Sequence, residues 1–312
     1  MKIVFLDAKT VGELDEVNLL SELGELKLYK TTSAKEVVAR IKEAEVVITN
    51  KVILDKKTIS KAPHLKLICV AATGTNNIDL EAAGKKGIEV KNVKGYSTEG
   101  VAQHTFAMLF HLRNHLSFYN KYVHSGKYSK SPIFTNLDRE ISEIRGKVFG
   151  IIGLGTIGKR VADIATAFGA KVIYYSTSGM HNDPTYQRVE LEELLSKSDI
   201  ISIHAPLNEK TKGMIGMKEL HVVKKDCIII NTGRGGIVKE KDLVTAINKN
   251  YIFAAAIDVY EKEPLDKKHP FYNVKERERL LLTPHVAWAS IESRKELLRG
   301  VYQNIKDYIT NK

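Results

Sequence analysis

Cysteine is scarce in this chain, which has Cys69 and Cys227 as its two cysteines among 312 residues. Both lie inside apolar runs, a position typical of buried, reduced thiols rather than of a structural disulfide. Long apolar runs are missing as well, since none reaches the roughly 18 to 20 residues that a membrane-spanning helix needs. Asp7 interrupts the first apolar run too early for a signal peptide, so we expect a β-strand there. These absences predict a cytoplasmic protein that does not act in a membrane.

Acidic residues are outnumbered by basic ones, 37 against 48, which gives a formal net charge of +11. An excess of this sign can indicate a protein that binds nucleic acid. However, the chain has no dense basic block and no zinc-ligand spacing, and its lysines are scattered among glutamates, as in KEVVARIKEAE. The pattern therefore favours a solvated, lysine-rich surface, with no nucleic-acid partner and no metal.

A glycine-rich segment, GLGTIG at residues 153–158, follows the apolar run VFGII and precedes a helix-like segment. This order is the context that a dinucleotide-binding fingerprint requires. Gly153 would allow the tight turn, Gly155 would let the backbone approach a pyrophosphate, and Gly158 would let helix and strand pack closely. Because roughly 150 residues precede the segment, we expect a second domain that holds a substrate.

Apolar runs of strand length alternate with helix-like segments, which predicts parallel βα units. Between the two groups of runs, a buried helix is predicted over 100–119 and a loop or arm over 122–136. An amphipathic helix over 290–309 is expected to return to the N-terminal domain. The predicted strands are 3–6, 46–48, 65–70, 88–90, 148–152, 172–175, 200–203, 227–230, 254–257 and 280–283.

Four polar residues follow three of the last predicted strands. Arg234 comes after 227–230, Asp258 and Glu263 come after 254–257, and His285 comes after 280–283. In an open α/β sheet, ligands bind at the carboxyl ends of the strands. A single strand-end histidine or acid is more often a cap or a surface residue, but the joint placement of these groups beside a cofactor loop predicts an active site.

The motifs GLGTIG, NTGRGG, IDVYEKEP and TPHVAW, in this order, resemble those of the D-isomer-specific 2-hydroxyacid dehydrogenases. CVAATGTNNID, GVAQH and HVAWAS are most similar to the glycerate dehydrogenase, or hydroxypyruvate reductase, branch. The resemblance implies an α/β fold with two doubly wound parallel-sheet domains. A flavodoxin-like substrate domain would comprise residues 1–99 and 286–312, and a Rossmann cofactor domain residues 100–285.

The resemblance also implies roles for individual residues. His285 would protonate the keto oxygen of a 2-oxoacid, which suits an imidazole because its pKa lies near the operating pH. Glu263 would orient that imidazole, and Arg234 would bind the substrate carboxylate through two parallel hydrogen bonds. Backbone N–H groups at Thr73 and Gly74 would also hold the carboxylate. The candidate cofactor residues are Gly153, Gly155, Thr156, Ile157, Gly158, Ser176, Pro206, Thr232, Gly233 and Asp258.

One position departs from the pattern of NAD-specific domains. Those domains have an acid at the end of the second strand, where it binds the ribose 2′-hydroxyl. Ser176 occupies that place here, and no arginine follows it directly to bind a 2′-phosphate. The sequence thus predicts NAD or NADP as the cofactor, with a slight preference for NAD.

The resulting hypothesis is an oxidoreductase that acts on a small 2-oxoacid or D-2-hydroxyacid, with glycerate/hydroxypyruvate or glycolate/glyoxylate as the expected pairs. A formate dehydrogenase is a second enzymatic interpretation, although such relatives have glutamine where this chain has Glu263. A nicotinamide-sensing, corepressor-like protein without significant turnover is the non-enzymatic alternative. The apolar helix over 100–119 and the family resemblance together suggest a homodimer.

Overall fold

The computed structural model describes residues 1–180 and 182–311. The chain forms two compact units, one from Met1–Ser97 together with the segment that begins at Ala289, the other from Thr98–Trp288. The predicted boundary at 99/100 lies two residues after the first junction, and the one at 285/286 lies three residues before the second. Lys312, which the predicted substrate domain includes, lies outside the described residues.

The first unit contains a five-stranded parallel sheet with strand order β2-β1-β3-β4-β5, the flavodoxin-like order. Its three central strands are apolar and buried almost throughout, whereas the edge strand β2 is largely exposed and the edge strand β5 is mostly half-buried. The elements are β1 (Lys2–Phe5), β2 (Glu25–Leu28), α1 (Val37–Ile41), β3 (Val46–Thr49), α2 (Lys56–Ser60), β4 (Leu67–Val70), α3 (Leu80–Lys85) and β5 (Glu89–Asn92).

The second unit contains a seven-stranded parallel sheet with strand order β12-β11-β10-β9-β6-β7-β8, one strand more than the sequence predicts. The additional strand, β8, has two residues and was missed because both are polar and exposed. The strands are β6 (Val148–Ile152), β7 (Lys171–Tyr175), β8 (Gln187–Arg188), β9 (Ile200–Ile203), β10 (Ile228–Asn231), β11 (Ala254–Ile257) and β12 (Leu280–Leu282). The predicted fold class, α/β with two parallel sheets, is confirmed.

The helix predicted over 100–119 is interrupted. His115 has a left-handed backbone with φ 50°, so one helix ends at Arg113 and the next begins at Leu116. The apolar pattern continues across this break, which is why periodicity alone predicted one helix. The helices of the second unit are α4 (Thr98–Arg113), α5 (Leu116–His124), α6 (Thr156–Ala167), α7 (Leu191–Lys197), α8 (Met217–Val222) and α9 (Glu240–Asn248).

The last helix, α10 (Ile291–Thr310), belongs to the first unit. Ser290 caps its N-terminus by accepting a hydrogen bond from the Ser293 backbone N–H. Its buried face, which includes Leu297 and Val301, packs against β4 and β5. No helix within the described ranges is long and apolar enough to cross a membrane. Both cysteines are buried and free, as predicted.

Candidate active site

The glycine loop joins β6 to α6 in the second unit. Gly153 has φ 92°, and a Cβ there would lie 2.9 Å from the Ala205 backbone nitrogen. A Cβ at Gly158 would lie 2.2 Å from the Gly153 carbonyl oxygen, so helix and strand approach as closely as the fingerprint requires. At Gly155, the N-cap of α6, a Cβ would meet nothing within 4 Å. The loop therefore leaves open space at a helix N-terminus, which fits a pyrophosphate; Thr156 and Ile157 begin this helix.

Ser176 directly follows β7, beside the glycine loop, where the Gly153 N–H donates to the Tyr175 carbonyl. The Ser176 side chain is 4% exposed, and its Oγ has no hydrogen-bond partner among the described residues. A ligand would therefore reach this hydroxyl only after the side chain rotates. A cation lies near the same turn, because Arg188 Nη1 donates to the Gly179 carbonyl at 3.0 Å. Sequence reasoning missed Arg188 because it stands on the short strand β8, twelve residues after Ser176.

His204 follows β9 and is linked to Thr232, which follows β10. Burial lowers the pKa of His204 to about 3, so the imidazole is neutral at pH 7. Thr105 Oγ1 donates to the Val101 carbonyl, so it accepts from Thr232, which in turn accepts from His204 Nδ1. The Thr232 hydroxyl, a candidate cofactor contact, thus has both of its hydrogen-bond partners, Thr105 and His204, within the protein. Pro206 is exposed just after β9, and Gly233 is buried after β10.

Arg234 is half-buried in the turn after β10, where its Nη1 donates to the Gly233 carbonyl at 2.8 Å. A Cβ at the neighbouring Gly235 would lie 1.9 Å from the Tyr260 carbonyl oxygen, so this turn directly contacts the loop after β11. The Tyr260 hydroxyl donates to the Thr283 carbonyl at 2.7 Å and so links that loop to the end of β12. The three carboxyl-end loops therefore form one continuous surface of the second unit.

His285 and Glu263, which the sequence predicts to act together, are in hydrogen-bond contact. Their Nδ1 and Oε2 atoms lie 2.8 Å apart, and both side chains are partly exposed. Because a carboxylate only accepts hydrogen bonds, Nδ1 carries the proton and Nε2 is left to exchange one with a ligand. The Tyr260 backbone N–H donates to the other Glu263 oxygen at 3.0 Å and fixes the carboxylate.

Asp258 is completely buried at the end of β11. Its Oδ1 accepts from Thr283 Oγ1 at 2.6 Å and from the Val286 N–H at 2.9 Å, and its Oδ2 accepts from the Ala287 N–H at 2.9 Å. The carboxylate thus supports the turn that carries His285. The sequence predicts only a cofactor contact at Asp258, because these partners become visible only once β11 and β12 are paired.

The two remaining candidates, Thr73 and Gly74, lie in the first unit after β4. The Thr73 hydroxyl donates to the Val93 carbonyl at 3.1 Å, which ties this loop to the chain beyond β5. Both residues follow the carboxyl end of a central strand, the edge at which open α/β sheets bind ligands.

A nucleotide-binding α/β unit with a histidine–glutamate pair and an arginine at its carboxyl edge is the arrangement of a nicotinamide-dependent oxidoreductase. The family model for the NAD binding domain of D-isomer specific 2-hydroxyacid dehydrogenases matches residues 106–287. The chain belongs to this family.

Two curated relatives and one solved structure illustrate the similarity. The hydroxypyruvate reductase of Blautia hydrogenotrophica is 37% identical, with 99% of this chain and 97% of the relative covered. The glycerate dehydrogenase of Methylorubrum extorquens is also 37% identical, with 100% and 97% covered. An acyclic imino acid reductase solved with NADPH and D-Arg has a TM-score of 0.90 and 31% identity, with 100% and 98% covered.

Proposed function

We propose that the protein interconverts a small 2-oxoacid and the corresponding D-2-hydroxyacid, with hydroxypyruvate/glycerate and glyoxylate/glycolate as the preferred pairs. The observation that carries this proposal is the 2.8 Å contact between His285 and Glu263 on the edge that also carries Arg234. The names of the two curated relatives support the choice of substrates.

Each of the three residues has a separate task. When bound, the nicotinamide supplies or takes the hydride at C2 of the substrate. His285 Nε2 gives a proton to the keto oxygen in reduction and takes it back in oxidation, while Glu263 stabilises the protonated ring. Arg234 binds the substrate carboxylate and orients the carbonyl. The N–H groups of Thr73 and Gly74 remain further candidates for binding the carboxylate.

A turnover assay tests the proposal. Purified protein is mixed with NADH or NADPH and with a panel of 2-oxoacids, and the absorbance of the reduced nicotinamide is followed. We expect turnover with hydroxypyruvate or glyoxylate. If the protein bound the cofactor but turned over no member of the panel, the proposed enzymatic activity would be contradicted and a nicotinamide-sensing protein would be favoured.

Glu263→Gln is expected to leave turnover measurable but to lower kcat about tenfold, equivalent to roughly 1.4 kcal/mol. The amide oxygen still accepts from Nδ1, but the ring loses its anionic partner when it carries the second proton. Glu261→Gln, two residues away and exposed, is the matched control and should keep the parent kcat. An unchanged kcat for Glu263→Gln would refute the pairing.

For the cofactor, we propose that the protein uses both NADH and NADPH, with NADPH at least as effective. The turn at 176–179 has no acid to repel a 2′-phosphate, and the guanidinium of Arg188 lies at its Gly179 carbonyl. A phosphate dianion there would gain a charge-assisted hydrogen bond. The Arg188 contact is the reason that this proposal departs from the slight preference for NAD that the sequence predicts.

Two substitutions, one that adds a negative charge and one that removes a positive charge, should both shift the cofactor preference toward NADH. Ser176→Asp adds a negative charge beside the adenosine ribose, and Arg188→Ala removes the neighbouring cation. Each should raise the NADH/NADPH ratio of kcat/KM about tenfold, equivalent to roughly 1.4 kcal/mol. Arg277→Ala, an exposed arginine just before β12 at the opposite edge of the sheet, should leave the ratio unchanged. If neither ratio moves, the adenosine ribose does not bind at this turn.

We further propose that the protein forms a homodimer through the segment at 116–142. Several large apolar side chains are exposed there, including Phe134 at 89%, Leu137 at 81% and Ile133 at 59%. Residues of this segment, including several of α5, line a groove of about 650 Å³. Concentrated apolar exposure of this kind marks an interaction site, and a second copy is the partner that the sequence analysis expects.

The Phe134→Ser/Leu137→Ser double variant should shift the protein from dimer to monomer, because it removes the two most exposed apolar side chains of the segment. Sedimentation equilibrium gives the mass directly. Met180→Ser, another apolar residue with 84% exposure, is the control and should leave the mass unchanged. A monomeric parent protein, or a double variant that stays dimeric, would contradict the interface.

A further inference from the structure

The backbone of His285 is unusual. Its φ of 56° lies in the left-handed region, which a non-glycine residue adopts rarely and keeps only where the surrounding structure holds it. Its own N–H donates to the Thr283 carbonyl at 3.0 Å, which closes a tight turn. The direction in which the imidazole points therefore depends on the contacts that hold the backbone of residues 283–287 in place.

The Asp258 carboxylate fixes this turn by accepting three hydrogen bonds from it. The donors are the hydroxyl of Thr283 and the backbone N–H groups of Val286 and Ala287. The Asp258 side chain is 1% exposed, so these bonds do not compete with bulk water. In such surroundings, loss of one donor leaves a buried carboxylate oxygen under-satisfied, and the turn must shift to compensate.

His104, on the first helix of the second unit, completes the arrangement. Its Nε2 lies 3.1 Å from Thr283 Oγ1 and 3.8 Å from Asp258 Oδ1. Thr283 has a single hydroxyl proton, which it donates to Asp258, so it must accept from His104. His104 Nε2 thus carries a proton and begins a chain of donors that ends on Asp258.

We infer that His104 and Thr283 are positioning residues that hold the left-handed turn of His285 in its productive geometry. This inference rests on the proposed role of His285 as the proton donor. Neither residue needs to contact the substrate, since the route runs from His104 through Thr283 to Asp258. From Asp258 it continues to the backbone N–H groups of Val286 and Ala287, which directly follow His285. A misplacement of about 1 Å in such a group can lower the rate about 100-fold.

Two matched pairs of variants test the hydrogen bonds that link His104 and Thr283 to Asp258. Thr283→Val keeps the shape but removes the hydroxyl, and it should lower kcat about 10- to 100-fold, whereas Thr283→Ser should stay within about threefold. His104→Leu, which has no donor, should lower kcat about tenfold, whereas His104→Gln retains an N–H donor and should stay within about threefold. Rates are normalised to active sites counted by NADPH fluorescence, so a loss of folded protein does not contribute. The NADPH dissociation constant should change less than threefold in all four.

A second readout needs neither cofactor nor turnover. The His285 Nδ1–H that is bonded to Glu263 should give a downfield proton NMR signal in the ligand-free protein, assigned by its loss in His285→Asn. Thr283→Val and His104→Leu should shift or broaden this signal, while the Ser and Gln variants preserve it. Unchanged kcat and an unchanged signal in both donor-less variants would overturn the inference. An active His285→Asn would instead overturn the proposed function, and the NMR signal would still decide whether the turn is held.

Discussion

His285→Ala is expected to lower turnover about 100- to 10,000-fold, the contribution typical of a general acid–base group. The Glu263 contact leaves Nε2 as the ring atom that can exchange a proton with the substrate, and alanine offers no replacement. Cofactor affinity should be almost unchanged, because the glycine loop and the β7 turn do not involve this side chain. Stopped-flow turnover and NADPH fluorescence titration measure the two quantities separately.

The left-handed backbone at position 285 requires a second variant. Alanine is strained at φ 56°, so His285→Ala can lower stability as well as activity. Asparagine tolerates this region better, and His285→Asn should therefore be equally inactive but closer to the parent in thermal unfolding. His221→Ala, an exposed histidine on α8, is the control and should keep full turnover. Substantial activity in both His285 variants would show that another group supplies the proton.

The central strands could be predicted from sequence because they are buried on both faces and therefore read as continuous apolar runs, as β3, β9 and β10 do. The edge strands β2 and β8 could not, since their exposed positions carry polar residues such as Glu25 and Arg188. The helix break at His115 was also hidden, because the apolar pattern continues on both sides of it.

The shared location of four candidate residues was predictable, because each lies within a few residues after an apolar run and the parallel sheet alone brings these strand ends to one edge. These residues are Arg234, Asp258, Glu263 and His285. The contact between His104 and Thr283 was not predictable, since 179 residues separate them and their proximity depends on how α4 packs against the sheet. The burial of Ser176 and the approach of Arg188 likewise depend on tertiary packing.

Arg234→Ala is expected to lower kcat/KM for the 2-oxoacid about 30- to 5,000-fold. This range corresponds to the roughly 2 to 5 kcal/mol lost when one partner of a hydrogen-bonded charge pair is truncated. The guanidinium is half-buried on the edge that carries His285, and a planar fork suits a carboxylate better than a point charge. Arg234→Lys should therefore recover only part of the loss, and cofactor affinity should stay within about threefold in both variants.

Chemical rescue separates recognition from folding. Millimolar guanidinium chloride should restore part of the kcat/KM of Arg234→Ala, because the free ion can occupy the space left by the side chain and bind the substrate carboxylate. Equal concentrations of sodium chloride should not, and neither salt should help His285→Ala, which lacks the proton donor rather than the anion site. If Arg234→Ala binds and reduces the substrate as the parent does, the carboxylate is held elsewhere, and the N–H groups at Thr73 and Gly74 become the leading candidates.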